Sequence, residues 1–304
     1  MNSVLVFPGQ GSQRTGMLDD VPEVETLDRL LDAAEGLTKR DLRRLQREGT
    51  PAELADTQVA QPLLYLSDWA WGSVLLDVGV RPVAVAGHSL GELAALAVAG
   101  VFSVEAGLEL VCERARLMAE AVAECPGAMS AVLGLDGQVV ADVVHCIDDV
   151  WLANDNAPGQ VVISGLRDAV AQAGDALLSA GARRVVPLDV AGAFHSPMMQ
   201  QAADAFSVVL ASAEFCDAAI PVLQNTRPDP ATEAGEIRGA LARQIPSPVR
   251  WTETMRACTR YAPVTLIEVG PGSVLRGLAK RVDGIAVVSI EDTGVQAVVE
   301  EILQ

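Results

Sequence analysis

Positive charge is scarce in this sequence: 22 Lys and Arg stand against 40 Asp and Glu, a formal net charge of −18 at pH 7. A nucleic-acid binder needs a basic face to displace counterions from phosphate, so that class is set aside. The balance still leaves room for an acidic partner docking on a local basic patch. Cys-x-x-Cys pairs are absent. The five cysteines, Cys112, Cys125, Cys146, Cys216 and Cys258, are far apart and odd in number. They read as reduced thiols of a cytoplasmic protein, most of them packing residues. No signal peptide is read at the start, because Pro8 interrupts "MNSVLVFPGQG" early. No uninterrupted apolar run reaches the ~18 residues of a membrane span, so a soluble protein is expected. Aromatic residues make up only 4% of the chain. Histidine is the most useful shortage: there are three, few enough to search by elimination.

What is present is an apolar half of the chain and 26 glycines in 304 residues, which suits an α/β protein with a sizeable core. "SVLVF" and "PVAVAG" read as buried strands, and "GELAALAVAG" and "SVEAGLELVCERARLMAEAV" as helices. Residues 51–78 carry a mixed helical pattern. Near residue 125 the rhythm shortens. "AMSAVLGL", "DVWLAND", "QVVISGL" and "RRVVPLDV" are strand-like, with helical "GQVVADVVHC" and "RDAVAQAGDALLSAG" between them. That βαββαβ order is the ferredoxin-like unit. Alternation of helix and strand then resumes, with "PVLQNT" and "VTLIEVG" as strands. "PMMQQAADAFSVVLASA", "VRWTETMRACTRYA" and "GSVLRGLAKRV" read as helices, and "RPDPATEAGE" as a polar loop. The expected architecture is a large α/β domain with a parallel sheet, formed by residues 1–124 and 192–304. A small ferredoxin-like α+β subdomain, residues 125–191, interrupts it.

"VAVAGHSLGEL" places Ser89 between two glycines where a strand gives way to a helix. In such a G-x-S-x-G turn the hydroxyl stands exposed above the strand end, at the positive end of the next helix. The Leu90 amide is then free to hold an oxyanion. The competing reading is an ordinary Gly-rich turn. A serine nucleophile needs a base. His88 is adjacent, and neighbouring side chains on a strand end diverge. His145 lies on a helix of the insertion. His195, in "DVAGAFHSPMM", sits in a loop where the chain re-enters the large domain, and is preferred. It lies too far from the C-terminus for the usual hydrolase order of serine, acid and histidine, so a Ser-His pair on another scaffold is expected. A carbonyl or amide would suffice to orient the histidine.

The helix over 104–122 carries an arginine on its apolar face. At about 100° per residue, Leu110, Val111, Leu117, Met118 and Ala121 all fall within ~60° of Arg114, whereas Arg116 points the other way. A guanidinium aimed at the core is costly unless paired. Two readings stand level: a structural salt bridge, or a bidentate clamp for a substrate carboxylate near the serine.

Seven motifs occur in order: "FPGQGSQ", "GHSLGE", "RARLM", "NAPGQVVISG", "FHSPMM", "IPSPVRW" and "EVGPGSVL". Together, from residue 4 to about 290, they make the chain resemble the malonyl-CoA:acyl carrier protein transacylases and the acyltransferase domains of polyketide synthases. The resemblance implies an acylated Ser89, His195 as its base, and an oxyanion hole from the amides of Gln10 and Leu90. It implies that Arg114 grips the malonyl carboxylate and that the Gln244 carbonyl orients His195. It implies a cleft between the two domains, ping-pong transfer of malonyl from an acyl-CoA to an acyl carrier protein, and no metal or resident cofactor. In polyketide acyltransferases an "AFH" goes with malonyl, so Phe194 is expected to crowd the α-carbon and exclude methylmalonyl. Gly192 departs from the pattern, since malonyl-type polyketide domains usually have histidine there. A monomer in the cytoplasm is expected, serving fatty acid or polyketide synthesis. Candidates for a carrier-binding basic rim are Arg183, Arg184, Arg276, Lys280 and Arg281. Alternatives are a proofreading acyl hydrolase of the same fold, a malonyl-loading subunit of a malonate decarboxylase complex, and a non-catalytic partner that keeps only the fold.

Overall fold

The first apolar run becomes β1 (Asn2–Phe7), and everything in it after Asn2 is buried. Its side chains alternate between two cores: Leu5 and Phe7 enter one apolar cluster, Val4 and Val6 the other. A strand apolar on both faces belongs inside a sheet covered on both sides. The computed structural model describes residues 2–21, 25–190 and 192–303. After β1 come α1 (Glu25–Thr38), α2 (Leu42–Glu48), α3 (Pro51–Ala55) and α4 (Thr57–Asp77). Asp56 divides the last two, its carboxylate accepting from the Gln58 amide. Strand β2 (Ala84–Gly87) leads into α5 (Gly91–Val98), and α6 (Val104–Glu124) follows.

Next come β3 (Ala128–Leu133), α7 (Gly137–Val144), β4 (Val150–Ala157), β5 (Gln160–Gly165), α8 (Arg167–Ser179) and β6 (Arg184–Pro187). The remaining elements are α9 (Gln200–Ser212), β7 (Val222–Gln224), β8 (Arg227–Ala231), α10 (Ala234–Ala242), α11 (Trp251–Cys258), β9 (Val264–Glu268), α12 (Val274–Ala279), β10 (Ala286–Ser289) and α13 (Ile290–Leu303).

Six strands form one sheet in the order β10-β9-β1-β2-β7-β8. Every pair is parallel except β7 with β8. Four strands form a second sheet, β4-β5-β3-β6, antiparallel throughout. That order and the βαββαβ succession are those of the ferredoxin-like unit. Val132, Val161 and Ile163 pack with residues of α7 and α8, while Met129, Ala153 and Val162 face the other way, toward Phe194. The sheets are tied where β4 meets the segment before α11. The Asp155 amide donates to the Val249 carbonyl, the Val249 amide to that of Ala153 (both 2.9 Å), and Thr252 Oγ1 donates to Asp155 Oδ1 at 2.6 Å.

Some sequence readings change. "RPDPA" is not loop but strand β8, and α10 begins at Ala234. Its two prolines have no N–H to give, which an edge strand with one partner tolerates. The helix read over 272–282 is limited to Val274–Ala279. Three cysteines, Cys125, Cys146 and Cys216, are exposed, so only Cys112 and Cys258 are packing residues.

Candidate active site

The strand β2 ends in a turn that only small residues allow. A Cβ at Gly87 would stand 1.9 Å from the Gly91 carbonyl carbon, and one at Gly91 would stand 2.2 Å from the Phe7 carbonyl oxygen. Between them Ser89 has φ +53°, in the left-handed region that non-glycine residues rarely occupy. Such strain persists only where the surroundings over-determine it. Here Asn225 and Gln244 do so. The Ser89 amide donates to Asn225 Oδ1 (2.7 Å), Asn225 Nδ2 donates to the Gly87 carbonyl (2.5 Å), and Gln244 Nε2 donates to the Ser89 carbonyl (2.9 Å). Glu92, in the first turn of α5, accepts from the Asn225 backbone N–H at 2.8 Å and holds it in place.

His195 reaches this turn from the loop before α9, also with a positive φ, +57°. Its Nε2 lies 2.8 Å from Ser89 Oγ. Its Nδ1 faces two carbonyl oxygens, Gln244 at 3.2 Å and Ser247 at 3.1 Å. Carbonyls only accept, so Nδ1 carries the proton. The Nε2 lone pair is left to accept from the serine hydroxyl. Burial, and secondarily the Arg114 charge, push the imidazole pKa down to about 3, so the ring is neutral near pH 7. Among the described residues the hydrogen bonds of the Ser89 hydroxyl go to His195 and Arg114, not to His88. His88 Nε2 is 2.8 Å from Asn156 Oδ1 and its ring meets Trp251 edge-on. His145 is exposed at the C-terminal end of α7.

Arg114 is 0% exposed, in the middle of α6. Nη1 donates to Gln61 Oε1 at 2.8 Å, and Nη2 to Gln244 Oε1 at 2.9 Å and Ser89 Oγ at 3.2 Å. Among the described residues no carboxylate forms an ion pair with it, and its Nε has no partner. Burial lowers its pKa to about 10, which still leaves it charged near neutrality. The two neutral amides orient the guanidinium without neutralising it.

These groups meet at the floor of a cleft of about 370 Å³ at the carboxyl ends of β1 and β2, where open α/β sheets place their ligands. Gln10, Ser89, Leu90, Arg114 and His195 line it from the large sheet's side; Met129, Asn154 and Val162 line it from the small sheet. Neither the Gln10 nor the Leu90 amide has a protein acceptor among the described residues. Phe194 also lines the cleft. A Cβ at Gly192 would come within 2.4 Å of Val122 Cγ2 and 2.8 Å of Phe194 Cε1, so a histidine there would displace the phenyl ring.

Of the residues singled out in the sequence, Ser89, His195, Arg114, Gln10, Leu90 and Phe194 line this one cleft, and Gln244 touches it through His195 and Arg114. Sequence reasoning missed Gln61, Asn225, Glu92 and the Ser247 carbonyl. Among the described residues, no cluster of three or more His, Cys, Asp or Glu could hold a metal ion, and no helix is long and apolar enough to cross a membrane.

The family model for the acyl transferase domain matches residues 4–291. The malonyl CoA-acyl carrier protein transacylase of Bacillus subtilis is 40% identical over 283 residues, 91% of this chain and 89% of its own. The enzyme of the same name from Haemophilus influenzae is 39% identical over 310 residues, covering 98% of each. A solved malonyl-transacylase in complex with a type II polyketide synthase acyl carrier protein superimposes with a TM-score of 0.92 at 39% identity, over 99% of this chain and all of the other.

Proposed function

This chain belongs to the acyl transferase domain family, and from that premise we propose that it transfers malonyl from coenzyme A to the phosphopantetheine thiol of an acyl carrier protein through an ester on Ser89. His195 Nε2 takes the hydroxyl proton as Ser89 Oγ attacks the thioester carbonyl. The amides of Gln10 and Leu90 hold the oxyanion, with the N-terminus of α5 adding its positive end. The C–S bond breaks, the thiolate takes the proton from His195, and coenzyme A leaves. The carrier's thiol then gives its proton to His195 and attacks the ester, reversing the sequence. The pantetheine arm arrives with each partner, so no resident cofactor is needed.

The observation that carries this reading is Arg114: buried, charged, without a carboxylate in ion-pair contact among the described residues, and 3.2 Å from the nucleophile. An acyl group that bears its own carboxylate fits that position, which favours transfer of malonyl over hydrolysis of neutral acyl chains. The reading divides the chain into a large unit, 1–124 with 192–304, and a small one, 125–191, each supported by its own sheet and apolar cluster. It takes the enzyme to be a cytoplasmic monomer, and native mass spectrometry reads the oligomeric state.

Intact-mass measurement after mixing with malonyl-CoA tests the reading. A malonyl adduct is expected on the native protein and none on Ser89→Ala; an adduct that survives the substitution would refute the assignment. Charge reversal at Arg183, Arg184, Lys280 and Arg281 is expected to slow the carrier half-reaction more than adduct formation. Arg276 is a weaker candidate, since it already pairs with Asp292 at 2.7 Å. Phe194→Ser is expected to raise methylmalonyl use relative to malonyl by about tenfold or more, the scale of one methyl group in a fitted pocket. An unchanged ratio in the same mass assay would return Phe194 to a packing role.

A further inference from the structure

The "EVGPGSVL" motif takes no part in the chemistry above, yet it holds a fully buried carboxylate, Glu268, at the last position of β9. Its two oxygens each accept a backbone N–H from the first turn of α12, Leu275 at 2.8 Å and Arg276 at 2.7 Å. Ser273, which precedes that helix, makes no side-chain cap of its own. A helix of one and a half turns has little stability in isolation, so its placement depends on such outside ties. The connection is short because Gly270 (φ +130°) and Gly272 (φ +82°) turn the chain back sharply. At Gly270 a Cβ would lie 2.0 Å from Asp68 Oδ1. The Asp68 carboxyl on α4, buried and without a hydrogen-bond partner, is pushed well above the usual carboxylate range by burial and by Glu268. Among the described residues Asp68 accepts no hydrogen bond, so the cap falls to Glu268, whose own carboxyl pKa is raised by burial to about 7. On the far side the Gly272 amide donates to Glu291 Oε2 at 2.8 Å.

What this cap positions faces the site. Val274, Leu275 and Leu278 of α12 line the catalytic cleft, as does Leu188 from the small sheet's side. Val274 and Leu188 line the cleft and are also 49% and 38% exposed, which places them as apolar lips at its mouth.

We propose that Glu268 is a positioning residue: it fixes α12 so that Val274 and Leu278, with Leu188 across the cleft, form the apolar passage that guides a pantetheine arm to Ser89. The proposal rests on the transfer reading above, because it needs a donor and an acceptor that both carry this arm. The arm's methylenes and geminal methyls match an apolar passage, and its thioester end reaches the polar floor.

The test compares two donors, malonyl-CoA and malonyl-N-acetylcysteamine, which ends before the pantoyl and nucleotide parts. Glu268→Gln keeps the side-chain volume but presents one acceptor to two amides. The expected result is that the kcat/KM ratio of malonyl-CoA to the truncated donor falls about tenfold, mostly through KM. That is the scale of one lost polar or apolar contact. Equal loss with both donors would make Glu268 merely structural and overturn the proposal. If Glu268→Gln does not fold, Val274→Ala and Leu188→Ala carry the test from the exposed side of the passage. An unchanged donor ratio in both variants overturns it. Absence of any Ser89 adduct from either donor on the native protein would instead refute the transfer reading.

Discussion

His195→Gln is expected to slow acylation of Ser89 by about 10⁴-fold, read as adduct formation in a single turnover. Glutamine can still donate to the Gln244 and Ser247 carbonyls, which lie 3.2 and 3.1 Å from Nδ1 in the native protein. It therefore fills the space and removes only the basic nitrogen. Residual rate then measures the oxyanion amides and binding without the base. The pH profile of the native enzyme should bear the mark of the buried ring. The base works as neutral imidazole, which is the form above its pKa, and burial pushes that pKa down to about 3. At saturating malonyl-CoA, acylation should hold level between about pH 5 and 8 and fail only as pH drops toward the lowered value. An inflection near 6.5, the ordinary histidine value, would show an accessible ring and contradict the geometry. Stability carries the same sign. The unfolded chain takes up this proton first, so the fold loses stability as pH falls from about 6.5 toward 3.

The sequence exposed those parts of the site whose signal is local or scarce. Ser89 lay in a glycine-flanked turn whose steric logic can be read from five residues, and His195 was one of three histidines. Arg114 showed itself because helical periodicity put a charge among apolar neighbours. The supports of these residues gave no such signal. Gln61 meets Arg114 across 53 residues, and Asn225 meets the Ser89 turn across 136. An amide on a strand end or an amphipathic helix is unremarkable until the fold brings its partner. The same holds for the Ser247 carbonyl, which is backbone and therefore invisible as a residue type. In the fold, parallel strands with apolar runs were legible, and so was the βαββαβ insertion. Strand β8 was not, because its prolines mask a pairing that only an edge position permits, and β10 is a four-residue edge that pairs with β9 alone.

Arg114→Ala is expected to lower kcat/KM for malonyl-CoA by roughly 30- to 4,000-fold, the equivalent of the about 2–5 kcal/mol lost when one partner of a buried charge pair is truncated. Acetyl-CoA should lose far less and could gain, because a methyl group draws nothing from the guanidinium and must share a small cleft with it. The structure also supplies the rival explanation. Gln244 accepts from Arg114 through Oε1, holds the Ser89 carbonyl through Nε2, and orients His195 through its own carbonyl. Removing the arginine leaves that Oε1 and Gln61 Oε1 without a donor, at about 1–3 kcal/mol for each buried group left unmade. Damage by this route would loosen the nucleophile and its base together and would strike both donors equally. The malonyl-to-acetyl ratio separates the two causes where either rate alone does not. Arg114→Lys sharpens the comparison: it keeps the charge but loses the fork that contacts Gln61, Gln244 and Ser89 at once. An intermediate ratio for lysine, between native and alanine, fits a guanidinium that binds the malonyl carboxylate. Equal loss of both donors in both variants would return Arg114 to a structural role, and with it the choice of malonyl would lose its physical basis in this site.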